Sequence, residues 1–135
     1  MPERHAFEAT IIRIVPRVER EEFMNVGAVL FCSARRYLRA RIEADWTRLE
    51  HFAPGLFDRA ELEEHLAQIV SVCNGDPAAG DIAALPPTER FQWLVAPRST
   101  VIQCSAVHAG YCTDPDAALE HLLNAMVRIP LTDSA

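Results

Sequence analysis

The sequence predicts an α+β fold: one domain built on a mainly antiparallel sheet of about four strands, with helices on one face and smaller cover on the other. Three observations carry this. Three β-branched, apolar stretches follow one another within the first 42 residues, separated by short polar turns, as in an antiparallel meander. Beyond them the apolar residues recur every three or four positions, the helical period. And 135 residues, half of them apolar, suit one core better than two.

The first strand is expected over residues 7–15, with Ile11 and Val15 on one face and Ile12 and Ile14 on the other, and Pro16 ends it. A charged loop leads to Glu22-Phe-Met-Asn-Val-Gly-Ala-Val-Leu-Phe31, whose apolar half is the second strand, residues 25–32. Gly27 inside that strand signals a bulge or the close approach of another chain segment. The third strand, residues 37–42, alternates Leu38, Ala40 and Ile42 with Tyr37, Arg39 and Arg41, the pattern of a half-exposed strand. A short helical turn is expected over 44–51, where Trp46 and Leu49 share a face.

A firmer helix spans 58–73. Asp58 caps it, Glu61 sits three residues later, and Leu62, Leu66, Ile69 and Cys73 make its apolar stripe. Residues 74–87, rich in Gly, Pro and Asp, read as a long internal loop. A third helix, 87–95, begins in prolines and buries Phe91, Leu94 and Val95. Residues 100–107 read as the fourth strand and 108–113 as a loop. The last helix, 115–128, has the clearest start: Asp114 caps, Pro115 fills the first position, and Leu119, Leu122, Leu123 and Met126 form its stripe. Residues 129–135 read as a frayed tail.

Composition narrows the function classes. All 13 basic residues are arginine, and 19 acids give a net charge of −6, which argues against broad nucleic-acid binding. The charge is uneven: residues 1–41 carry +3 and residues 42–135 carry −9. No apolar run approaches the roughly 18 residues of a membrane helix, and Glu3, Glu8 and Arg13 interrupt any signal-peptide layout, so the chain reads as cytoplasmic. Cys32, Cys73, Cys104 and Cys112 have no metal or redox spacing, so no metal and no cofactor is expected. Oligomeric state is not legible.

The residues also carry a family pattern. Pro16, Glu22-Phe23, Asn25-Val26-Gly27 and Val29-Leu30, then Phe91, Trp93-Leu94, Arg98-Ser99, Ile102-Gln103, Asp114-Pro115 and Leu119, resemble a bacterial family catalogued as a domain of unknown function, number three thousand and thirty-seven. The likeness runs from Phe7 to Val127, with Ala28 where the family often has Val. It implies no activity. Members are often encoded beside a HipA-like kinase domain, so the resemblance implies an accessory role and a protein partner of that kind.

Two groups of residues are site candidates. Glu22, Asn25, Arg98, Ser99 and Gln103 form a polar set able to bind a phosphate or carboxylate if the sheet brings them together. Otherwise they fix a hairpin register and a salt bridge. Arg35, Arg36, Arg39 and Arg41 form a basic turn and strand face, either solvated or a contact surface for an acidic partner or a phosphate backbone. His108, Tyr111 and Asp114 lie near the last helix but lack a nucleophile motif. The reading leans away from an enzyme and toward a partner-binding domain. A small enzyme acting on a phosphorylated or nucleotide substrate, through Glu22, Asn25, Arg98 and Ser99, is the alternative. A nucleic-acid module using Arg35–Arg41 is the second alternative.

Overall fold

A computed structural model describes residues 3–97 and 100–129. The meander is present as β1 (His5–Ile14), β2 (Met24–Cys32) and β3 (Tyr37–Ile42), each antiparallel to the next. The other edge of β1 is shared by β4 (Ile102–Cys104) and β5 (His108–Cys112), both antiparallel to it. Four helices complete the α+β fold: α1 (Trp46–Phe52), α2 (Arg59–Asn74), α3 (Pro87–Val95) and α4 (Pro115–Met126).

Each face of the sheet has its own core. Ile12, Ile14, Val26, Val29, Phe31 and Leu38 pack beneath Leu49 of α1, Leu62, Leu66 and Ile69 of α2, and Phe91 and Leu94 of α3. On the other face Ala9, Ile11, Ala28, Leu30 and Cys32 meet Leu119 and Leu123 of α4 and the following Val127. Full burial of Leu119 and Leu123 contributes roughly 1.5–3 kcal/mol each. Val127, and not the exposed Met126, ends the α4 stripe.

The capping residues act as expected. Asp58 accepts from the Glu61 amide, and Asp114 accepts from the Asp116 amide ahead of Pro115. Asp45 does the same for α1 through the Arg48 amide. Each such cap stabilises its helix by about 1 kcal/mol.

Two bulges flank β1. Ile12 faces Gly27 but Arg13 faces Asn25, so β2 carries one extra residue, Val26. Gly27 stands opposite both Ile12 and Ile42, and a Cβ there would lie 2.5 Å from the Arg41 carbonyl oxygen. The bulge and the close approach are both real.

On the other edge, Ile12 faces Cys104 while Ala9 faces His108, so three steps along β1 are matched by four along its neighbour. This corrects the single strand expected over 100–107 and the loop over 108–113. The pairing path is interrupted between 104 and 108 and resumes as β5. The interruption has a polar cause. Ser105 and Thr10 are buried, Thr10 Oγ1 donates to the Ser105 carbonyl (2.7 Å), and the Ile11 amide donates to Ser105 Oγ (2.9 Å). A side chain thus takes a bond that the ladder would otherwise make.

The 74–87 connection is more ordered than a plain loop. It holds two 3-10 turns, Pro77–Ala79 and Asp81–Ala84, and buries Ala83. Gly75, at φ 69°, closes α2 in the left-handed region. Arg90 of α3 then donates to the Val72, Cys73 and Leu85 carbonyls at 2.7–2.9 Å. One guanidinium satisfies the end of α2 and pins the connection.

Candidate functional site

Within the expected polar set, the structure separates Glu22 from Asn25. Glu22 pairs with Arg20 at the surface and lines a shallow recess with Pro16, Arg17, Phe52 and Leu56, on the side of α1. Asn25 lies on the α4 face, where its Nδ2 donates to the Met126 carbonyl (2.9 Å). Glu22 and Asn25 therefore do not share a pocket. Arg98 and Ser99 lie outside the described residues. Gln103 bonds locally, donating to the Thr100 carbonyl (2.8 Å).

The cation that does meet Asn25 is Arg13. It stands opposite Asn25 across β2 and opposite Gln103 across β4, so the three polar residues form one row across three strands. The Arg13 guanidinium lies 4.0 Å from the centre of the Phe23 ring. Its Nε and the Asn25 Oδ1 are both buried without a hydrogen-bond partner among the described residues. Arg13 was legible as the one charge inside the apolar run Ile-Ile-Arg-Ile-Val. Its partners were not, because the Val26 bulge decides which β2 side chain faces it.

The basic strand face is largely committed to α4. Arg128 grips Glu43 with both arms of its fork, Nε and Nη2, at 2.6 and 2.7 Å, reaches Asn124 (2.7 Å), and pairs with Glu120. Arg41 closes the ring by pairing with Glu120 and Glu43. Hydrogen bonds from Arg128, then from Arg41, lower the Glu120 carboxyl from 4.5 to about 2, and the Arg128 fork lowers Glu43. Tyr37 donates to Asp116 (2.7 Å); its burial first, and that bond second, push the phenol up. Arg39 lies 5.7 Å from the Tyr37 ring centre, and Arg35 reaches the Thr113 carbonyl (3.4 Å). Arg36 is exposed in the turn. This face holds α4 in place more than it offers free cations.

His108, Tyr111 and Asp114 do not form a catalytic group. His108 and Tyr111 fall on opposite faces of β5, and Asp114 serves as a helix cap. Among the described residues no three His, Cys, Asp or Glu side chains gather as metal ligands. Burial pushes the Cys73 thiol up to about 12.

A larger concave feature than the Glu22 recess lies elsewhere among the described residues. A trough of about 840 Å³ runs between α2, α3 and the start of β4. Leu62, Ile69, Trp93 and Ile102 give it an apolar floor, and Asp58, Glu61, Glu64, His65 and Gln68 line its α2 wall. At Leu56 it meets the recess formed by Phe52, Pro54 and the Glu22 loop. Leu56, Val101 and Phe52 along this line are 47, 38 and 37% exposed. Sequence patterning missed the trough, since its floor residues read as ordinary core positions of separate elements.

No curated protein and no solved structure matches the chain. One family does, over residues 10–127, a span that includes both bulges, the Arg13 row and the trough. The chain belongs to the family described as protein of unknown function, DUF3037.

Proposed function

We propose that this chain is a bacterial, cytoplasmic accessory domain that binds a protein partner and performs no chemistry of its own. The observation that carries the reading is the apolar trough, continued by exposed Leu56, Phe52 and Val101. Adjoining apolar side chains left open along a groove are the usual mark of an interaction surface. The enzymatic alternative on a phosphorylated or nucleotide substrate has less support, because Glu22 and Asn25 lie on opposite sides of the sheet. The nucleic-acid alternative loses Arg41 to the α4 ion pairs.

The family resemblance makes a HipA-like kinase domain from the same genome the first partner to test. Co-expression followed by size-exclusion chromatography and calorimetry is the experiment, with wild type beside Leu56→Asn/Val101→Asn. Both side chains are part-exposed, and circular dichroism checks that the variant is folded before binding is read. A complex weakened at least about tenfold by the variant is expected. Absence of a complex removes the kinase as partner, and a complex indifferent to the variant removes the trough.

A further inference from the structure

The trough has an electrostatic character that its apolar floor does not require. Asp58, Glu61 and Glu64 stand on one wall, and no Arg or Lys lines it among the described residues. Two of these acids have local explanations. Asp58 caps α2, and Glu61 lies in the first turn, where an acid complements the helix dipole. Glu64 has neither role. It lies in the second turn and has no ion-pair partner among the described residues, whereas its neighbour Glu63 is paired with Arg59 on the far side of the helix. His65 and Gln68 continue the same wall.

Shape narrows the occupant. The wall from Asp58 to Ile69 covers three turns of α2, about 17 Å. The trough is open along this length and runs on at Leu56. Small ligands are held in enclosures that bury most of their surface, and an elongated open trough suits an amphipathic segment instead.

We infer that the trough takes a cationic amphipathic helix of the partner, its apolar face on Leu56, Val101 and Ile102 and its Arg or Lys side chains on Glu61 and Glu64. The inference rests on the partner-binding reading above and adds the chemistry of the partner. The acidic wall steers such a segment, fixes which edge of its apolar face points to α2, and rejects acidic helices of similar shape.

The test is selection of a displayed library of random 14-residue peptides against the full chain. Enriched peptides are then measured on wild type, Glu61→Arg/Glu64→Arg and the charge-neutral Leu56→Asn/Val101→Asn, with folding checked by circular dichroism. The expected result is enrichment of net-positive peptides with apolar residues at helical spacing. Their affinity should fall about tenfold on charge reversal and weaken with added salt. Enriched peptides that are neutral or acidic, or binding unchanged by the charge reversal, overturn the cationic assignment; if Leu56→Asn/Val101→Asn still abolishes that binding, the docking surface itself stands. Peptides indifferent to both variants, or no enriched peptide at all, overturn both readings. A trough that captures only small aromatic cations in a fragment screen is a small-ligand site, and the helix inference then fails.

Discussion

Gly27→Ala tests whether the glycine in β2 is a steric necessity. The new Cβ would sit 2.5 Å from the Arg41 carbonyl oxygen, 2.9 Å from Ile42 Cδ1 and 3.3 Å from Ile42 Cα. The Cδ1 contact is the far end of a side chain and can rotate away. The carbonyl belongs to the backbone of β3, so relief requires the strands to part where Gly27 faces Ile42. Overpacking of this kind costs about 1–3 kcal/mol. Loss of glycine freedom in the unfolded chain returns about 0.4–1 kcal/mol. The net expectation is a destabilisation of about 1–2 kcal/mol, or a midpoint lowered by about 3–8 °C in a chain of this size. Thermal and urea unfolding by circular dichroism measure it. The double variant Gly27→Ala/Ile42→Ala separates the two contacts. If the backbone is the obstacle, removing Cδ1 recovers less than about 0.5 kcal/mol of coupling. A wild-type midpoint in the single variant, or full recovery in the double, refutes the argument.

Three further outcomes follow from the same geometry. Glu120 and Glu43 titrate lower in the folded chain than in the unfolded one, so the stability they supply is present above about pH 4.5 and is lost as pH falls below it, for Glu120 through about 2. Glu120→Gln should therefore flatten the acid limb of a plot of melting temperature against pH over that window; an unchanged limb would count against the ring. Thr10→Val removes the buried donor to the Ser105 carbonyl and should cost about 1–3 kcal/mol, with the loss seen in denaturant unfolding and hydrogen exchange concentrated between 104 and 108. Cys73, its thiol raised to about 12 by burial, should resist alkylation at pH 8 until the chain unfolds; peptide-level mass spectrometry showing early labelling would contradict its packing.

Local patterning read the meander, the caps and the stripes of α2 and α4 because each is decided by neighbours in sequence. Asp58, Asp114 and Pro115 act within one helical turn, and their roles are visible in any window that contains them. What stayed hidden depends on register. Whether Arg13 faces Asn25 or Val26 is set by one inserted residue in a partner strand. The same holds for 100–112, where the apolar alternation continues through Ser105 in the sequence although the pairing with β1 shifts there. The polar row of Asn25, Arg13 and Gln103 and the floor of the trough both lie across elements far apart in the chain. No spacing rule within a single segment could have assembled them.

The shift between β4 and β5 has a consequence for which genetic changes this fold tolerates. Before it, even-numbered Ile102 and Cys104 face the α1–α3 core; after it, even-numbered Gly110 faces Phe7 on the α4 side. The added residue works as a parity switch, letting one edge of the sheet serve two cores. Substitutions between 105 and 107 leave that count intact, whereas deletion of a single residue there would turn every β5 side chain to the wrong face. Insertion and deletion scanning should therefore find this short stretch among the least forgiving in the chain, where the exposure of Ala106 and Val107 alone would suggest the opposite.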